Sequence, residues 1–563
     1  LSNMRIFGLS GSGMDIDKIV GDLMKVERER RVSKLERKRQ IDLWRSEMYQ
    51  SINKDIANFI VDARKEFGLA KLTDTGTLLS GSMDSFTWVK SASSSDETKV
   101  DAKATAKALN GSYNLNITQL AKNVSKTSTD SISVEGKTSK DTLDEQFAGI
   151  SSGKILSFKI RTNVTENDPE NYPNGYKEFS FDTSVNTLED VIDEINNSNI
   201  GIQAAYDSDI DRFFLNTTET GEENYFNISN ADLDGIDPAD IITPDKFFAD
   251  ALKLDVNIDE DYGGKDAKFD FGDATGLTKS SNTFSINGIN ITAKNTGQTT
   301  ITVGTDVDSV YEKITDFVDK YNELISGINE KLGEEVHRDY QPLTDEEKES
   351  LTEDQVKKWE DMAKSGLIKN DRILSTMLMS VRKGLYKSVS GLSDSMNHLT
   401  QIGIETGEYS SKGKLEVDET KLKKAILNNP NGVIDLLFNS PDDYIDDEDK
   451  YNKSGLITRM FDTMTEDMKE IIDKAGPGED SDLLRDVKSS ILIDFVAGKN
   501  LKNGSISMLD ENILDLEREI LTQEKVLLRI ENRYYSKYGA MEQALGQMYQ
   551  QSSWLSSQLG SLM

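Results

Sequence analysis

From Leu509 to the end of the chain, apolar side chains recur at steps of mostly three and four residues. They are Ile513, Leu516, Ile520, Leu527, Ile530, Tyr534, Tyr538, Met541, Leu545, Met548, Leu555, Leu559 and Leu562, with Gln523 and Ser552 in the gaps. Kept for about seven heptads, this spacing predicts a coiled-coil stripe. No proline interrupts it, and Gly539, Gly546 and Gly560 are its weak points. A single helix of about 53 residues is about 80 Å long, and so narrow a stripe needs a partner helix to bury it. The other end of the chain offers one. Ile41, Trp44, Met48, Ile52, Ile56, Phe59 and Ala63 repeat at the same spacing. Upstream, Ile16, Ile19, Val20, Leu23, Met24 and Val26 form a shorter apolar patch, and the charged, mostly basic run Lys25 to Arg39 lies between. The two ends are expected to pair, directly or within one bundle. An ordinary helical bundle in a core is the other reading of both patterns.

Between residues 80 and 305 the period changes from helical to alternating. Tyr113–Ile117, Lys154–Ile160, Phe284–Ile291 and Thr300–Val303 alternate apolar with polar residues, separated by Gly, Asn, Asp, Ser and Thr. Asn287-Gly288 stands where a tight hairpin turn belongs. One helical break, Thr187 to Asn197, lies among the strands. From Asp308 helices resume, with Val310, Ile314, Phe317, Val318, Tyr321, Leu324, Ile325, Ile328 and Leu332 on one face. A β-rich insertion therefore interrupts a helical framework, and its two connections are expected to lie close in space.

Composition narrows the chemistry. The 563 residues suggest about three or four domains. The formal net charge is −33, from 99 acidic and 66 basic residues, which argues against nucleic-acid binding because phosphate contacts need clustered Lys and Arg. A merely solvated acidic surface is the plainer account of that charge. With no cysteine, disulfides, thiol catalysis and Cys-ligated metals are excluded. His337 and His398 are the only histidines, too few for a His-based metal centre or a Ser-His-Asp triad. No apolar run of about 18 residues suggests a membrane span, and residues 1–17 lack a charged segment leading into an apolar one, so no secretory signal is expected there.

Motifs that mimic known sites fail on spacing. Gly8 to Gly13 does not follow the phosphate-loop pattern and no strand precedes it. Asn230, Asp232, Asp234 and Gly235 resemble a calcium loop, but Ile241 stands where a bidentate Glu is needed. Asp207, Asp209 and Asp211 fail likewise, with Arg212 in place of Gly. Asp442 to Asp449 reads as a solvated acidic loop. No pair of carboxylates stands out as a catalytic acid and base.

Six stretches, in order, resemble the bacterial flagellar filament capping family, also called hook-associated protein 2. They are Gly11–Asp17 with Ile19 and Leu23; Gly111–Leu115 leading to Gln119–Ala121; Thr187–Asn196 with Gly201-Ile202 and Ala204, a helix between strands of the flagellar "IN" type; Phe284–Gly288 with Phe317-Val318 and Tyr321-Asn322; Tyr340–Asp345 continuing through Trp359-Glu360, Ala363-Lys364, Gly366-Leu367 and Asn370-Asp371 to Arg382; and Gly413–Leu415, Asp418, Lys421-Leu422 and Asn429-Pro430. The fifth is the most specific. Residues 126–275, outside the IN-type stretch, and the acidic segment near 440–480 are least like the family.

The resemblance implies a non-enzymatic cap at the distal tip of the growing filament, which promotes flagellin folding and insertion and prevents loss of exported flagellin. It implies an α+β multidomain fold, with discontinuous terminal coiled-coil legs and a helical bundle carrying an inserted β-rich two-domain head. Residues 1–40 would pair with 515–563 as legs. Residues 41–79 and 306–514 would form the helical domain, 80–125 and 276–305 the inner head, and 126–275 the outer head. Implied partners are further copies in a ring of five or six, flagellin and the filament tip, and the type III flagellar export machinery with its chaperone; host mucin or glycan is open for the head. No cofactor, metal, nucleic acid or membrane is implied, and export is expected without a cleaved signal peptide. Expected assembly residues are Ile16, Ile19, Leu23, Trp44, Leu545, Met548, Leu555, Leu559 and Leu562, and the legs are expected to be the most mobile parts of the free protein. Another axial flagellar protein, or an adhesin whose head binds mucin or glycan, are the alternatives.

Overall fold

A computed structural model describes residues 15–72, 78–231, 236–407, 411–441, 446–476 and 507–560. They divide into two compact units, one from the segments before Asp84 and after Asp306, the other Asp84–Asp306.

The first unit is helical. Helix α1 (Ile16–Arg28) starts at Asp15, whose carboxylate accepts the Lys18 N–H at 3.0 Å and satisfies an otherwise orphaned donor. A wider π-type turn, Glu29–Ser33, leads into α2 (Lys34–Phe67), which stops at Gly68 with φ 82°, a left-handed conformation that costs glycine nothing. After the interruption come α3 (Val307–Gly333), α4 (Asp345–Glu349), α5 (Glu353–Lys364), α6 (Arg372–Tyr386), α7 (Leu456–Ala475) and α8 (Met508–Gly560). The three- and four-residue spacing of α2 buries Ile52, Ile56, Phe59, Ile60, Ala63 and Phe67. Phe59 meets Phe317 of α3 at 5.5 Å and Phe461 of α7 at 6.3 Å between ring centres. At the far end of the same pair, Ser46 Oγ and Gln50 Nε2 both donate to the Ala475 carbonyl, at 3.0 and 2.7 Å. So α2 and α7 run antiparallel, and α3 closes their aromatic core. Each large side chain buried there contributes roughly 1.5–3 kcal/mol.

Arg459 of α7 is completely buried. All its donors go to main-chain carbonyls: Gly384 at 3.0 Å, Lys387 at 2.7 Å, Tyr451 at 3.0 Å, Asn452 at 3.2 Å and Ser454 at 3.1 Å. Asp467, two turns further along α7, has a buried carboxylate oxygen without a hydrogen-bond partner. Burial, reinforced by Glu470 and Glu466, pushes its pKa up to about 6. Because the folded value lies above the unfolded one, the native chain holds the extra proton between pH 4 and 6, and stability falls as pH rises through that window. Asp467→Asn is therefore expected to remove that fall. At pH 7 it should gain on the order of 1 kcal/mol, after allowing for the part of the group open to solvent. Urea unfolding at pH 4 and pH 7 measures both.

The second unit is β-rich and has two cores. In one lobe a sheet runs in the order Ala274–Lys279, Ala267–Phe271, Gly111–Gln119, Gly297–Thr305, Lys90–Ser94. A second sheet holds Thr283–Ile286, Ile289–Ala293 and Val100–Ala104. Asn287 (φ 50°) and Gly288 (φ 74°) make the tight turn that their residue types predict. In the other lobe Ile155–Thr162 pairs with Lys177–Asp182 on one edge and Tyr225–Asn230 on the other, over Phe158, Phe179, Phe247 and Phe248. Helix Leu188–Asn197 opens with a reciprocal Thr187–Asp190 cap and buries Leu188, Val191 and Ile195 in that core. Ala267–Phe271 pairs directly with Gly111–Gln119 and so belongs to the first of these sheets.

Candidate assembly interface

The sequence pattern puts an amphipathic stripe at each end of the helical unit, and the structure brings them together. Along their contact Asp17, Arg31 and Arg39 meet Tyr535, Gln523 and Glu517 in turn, at 3.1, 3.5 and 3.6 Å. That order makes α8 antiparallel to α1 and α2. Val32, Leu35, Ile520 and Leu527 form the buried seam, with Met24 and Leu516 packed at its edge. The polar gap at Gln523 is filled from the opposite side by Arg31. Within the π-type turn Val32 and Ser33 are both buried. Arg28–Glu36 and Arg37–Glu29, each at 2.7 Å, straddle that turn. Arg31 also holds the Glu27 carboxyl below its ordinary range by a hydrogen bond.

The Tyr340–Arg382 stretch packs on α2. Arg37 donates from Nε to the Pro342 carbonyl at 3.1 Å and pairs with Glu347 at 3.0 Å. Burial opposes the charge on Glu347, but the Thr344 amide and Arg37 outweigh it and lower its pKa. Trp359 Nε1 donates to the Gln341 carbonyl at 2.8 Å while its ring lies 4.7 Å from that of Tyr340. Arg45 donates to the Leu367 carbonyl at 3.3 Å, and the Tyr49 hydroxyl donates to Asp371, the residue that caps α6. Burial first, and then Asp371, pushes the Tyr49 hydroxyl pKa up. This stretch is thus a brace between α2 and the start of α6.

Residues 264–550 match the family model described as Flagellar hook-associated protein 2 C-terminus, and residues 12–124 match the corresponding N-terminus. The chain belongs to the flagellar hook-associated protein 2 family. The flagellar hook-associated protein 2 of Halalkalibacterium halodurans is 29% identical over 97% of both chains. That of Thermotoga maritima is 27% identical over 77% of this chain and 59% of its own. A three-domain structure of the flagellar cap protein from Escherichia coli covers 75% of this chain and 96% of its own, at 19% identity and a TM-score of 0.45. As a hook-associated protein 2 family member, the chain is flagellum-associated.

The expected assembly residues fall into three groups. Ile16, Ile19 and Leu23 are half-buried on α1, beside the fully packed Val20. Trp44 lies apart from them, 3% exposed within the brace, with the Lys364 ammonium 5.0 Å above its ring. Leu545 is half-buried, and Met548 and Leu555 are exposed, on the part of α8 that extends past the start of α1. The Leu559 side chain and Leu562 lie outside the described residues, as do Gly8–Gly13 and Asp232–Gly235. The structure adds Leu514, Leu521, Leu528, Tyr549 and Trp554, all exposed on α8. Their signal was present in the sequence as apolar residues off the seam. Asp207, Asp209 and Asp211 form a turn, with Asp209 N–H bonded to Asp207 at 2.9 Å and Asp211 accepting from Ser133 and Tyr206. Among the described residues no group of three or more acidic or histidine side chains is arranged to hold a metal, and no helix is long and apolar enough to cross a membrane.

Proposed function

We propose that the chain works as a structural cap at the distal tip of the flagellar filament. Family membership over residues 12–124 and 264–550 is the observation that carries this reading. The paired α1–α2 and α8 supply an arm. Its outer stretch of α8 presents Met541, Met548, Trp554 and Leu555 to solvent, an apolar surface suited to the helical ends of filament subunits. Copies close into a ring of five or six through heterologous contacts. Ordering of the outer arm is coupled to docking, so arms release and re-engage as each exported flagellin folds and inserts. The chain travels through the flagellar type III channel with a chaperone and acts without catalysis.

Complementation tests this. In a strain lacking its own copy, the full chain is expected to restore long filaments and to stop loss of flagellin into the medium. A chain with Met541, Met548, Trp554 and Leu555 all changed to Ser should fold, by circular dichroism, and restore neither. Full restoration by that variant would rule out docking through the arm, and failure of the intact chain would rule out the cap.

A further inference from the structure

Three leucines on α8 have no place in the seam. Leu514, Leu521 and Leu528 are 39%, 57% and 60% exposed. Each follows a buried residue, Ile513, Ile520 or Leu527, by one position, which turns it about 100° away around the helix. Seven residues apart, they line up over roughly 21 Å of helix. In a two-helix coil this outward position is ordinarily polar.

The charges beside the line are sorted by side. Arg518 and Lys525 stand four residues after Leu514 and Leu521, on one flank, where Arg518 also pairs with Asp515 of its own helix at 2.9 Å and Glu511 lies before them. Glu517, Glu524 and Glu531 stand three residues after each leucine, on the other flank. All but Glu517 among the residues at 517, 518, 524 and 525 are exposed. We propose that the Leu514–Leu521–Leu528 line is the surface on which copies of this chain pack side by side, with their α8 helices parallel. The inference rests on the reading of the chain as a self-assembling cap and names the surface that joins its arms.

The charge pattern decides the direction. Copies related by rotation about the helix direction bring the basic flank of one against the acidic flank of the next, with Lys525 beside Glu524. An antiparallel two-fold pair sets Arg518 against Lys525 and Glu517 against Glu524, like charge on like charge, which is destabilising. A parallel arrangement uses two different flanks and so repeats around a ring. Three leucines fall far short of the roughly 800 Å² per partner of a stable pairwise interface. The line therefore acts as one of several contacts that close the ring.

The chain contains no cysteine, so single-cysteine variants of the full protein report the geometry directly. Under diamide oxidation L514C, L521C and L528C are each expected to link to their own kind. A mixture of L514C with mass-tagged L528C should give no mixed product. Lys525→Glu is expected to raise the concentration at which the oligomer forms by about tenfold, and adding Glu524→Lys in the same chain should restore it. Mixed L514C–L528C links would overturn the parallel arrangement. An oligomer that forms without a link at any of the three positions, and that Leu521→Lys leaves intact, would overturn this surface while leaving the cap reading standing. That result would mean the line is covered by a filament subunit. A chain that stays monomeric at every concentration would sink both readings.

Discussion

Arg459→Met is expected to destabilise the helical unit by about 4 kcal/mol or more, the largest single-residue effect on this fold. The guanidinium is fully buried, and no carboxylate accompanies it in its hydrogen bonds. Five carbonyls, from the end of α6 through residue 387 and from residues 451–454, converge on it. The Tyr451 ring lies 4.8 Å from its centre. Burial lowers the Arg459 pKa, with Tyr451 opposing, yet an arginine stays charged at any pH the protein meets. Methionine fills much of the space but returns no donor, so carbonyls that water cannot reach lose their partners. Arg459→Lys keeps the charge and offers three donors on a flexible stem, so it should recover only part of the loss. Urea unfolding followed by helical circular dichroism measures the series. A loss under 1 kcal/mol for the methionine variant would show that the segments at 384–387 and 451–454 hold their shape without it.

Leu527→Asp is expected to abolish capping while leaving the body folded. Leu527 is 6% exposed in the seam with Val32, Leu35 and Ile520. A carboxylate there loses its hydration without gaining a partner, at a cost of several kcal/mol. The damage stays local, because the aromatic core of α2, α3 and α7 does not include the seam. Hydrogen exchange should become fast in α1 and in α8 beyond Leu516, with α2 from Ile52 onward still protected. Motility in the complemented strain should be lost. Leu527→Met, which conserves volume, should cost less than about 1.5 kcal/mol and keep motility. Retained motility in the aspartate variant would separate the seam from capping.

Much of the architecture follows directly from spacing. The stripe from Leu509 onward predicts a helix of the length that α8 has, and the apolar run of α2 predicts its burial. The Asn287-Gly288 pair predicts a tight hairpin turn, and the pattern from Thr187 to Asn197 marks a helix inside a strand-rich region. Other features depend on partners that spacing does not show. Arg459 reads as one more surface charge until the carbonyl at Gly384, 75 residues away, is seen beside it. The π-type turn leaves no signature in propensity. Trp44 has the same three- and four-residue spacing whether it faces a neighbouring molecule or, as found, its own α5. Leu514, Leu521 and Leu528 were legible as apolar, but a search for steps of three and four passes over a second line displaced by one residue.

The antiparallel seam joins Asp17 to Tyr535 across 518 positions of sequence. Such a contact has about the highest loop-closure cost this chain offers, so it is expected to form late, after the local helices and the β unit. A chain that emerges gradually, from a ribosome or through a narrow export channel, has only one half of the clasp until nearly all of it is free. The arm is therefore a length check written into the topology. A product broken off anywhere before α8 can fold its head and much of its body, yet it has no second strand with which to close the arm, and it should not compete for the filament tip.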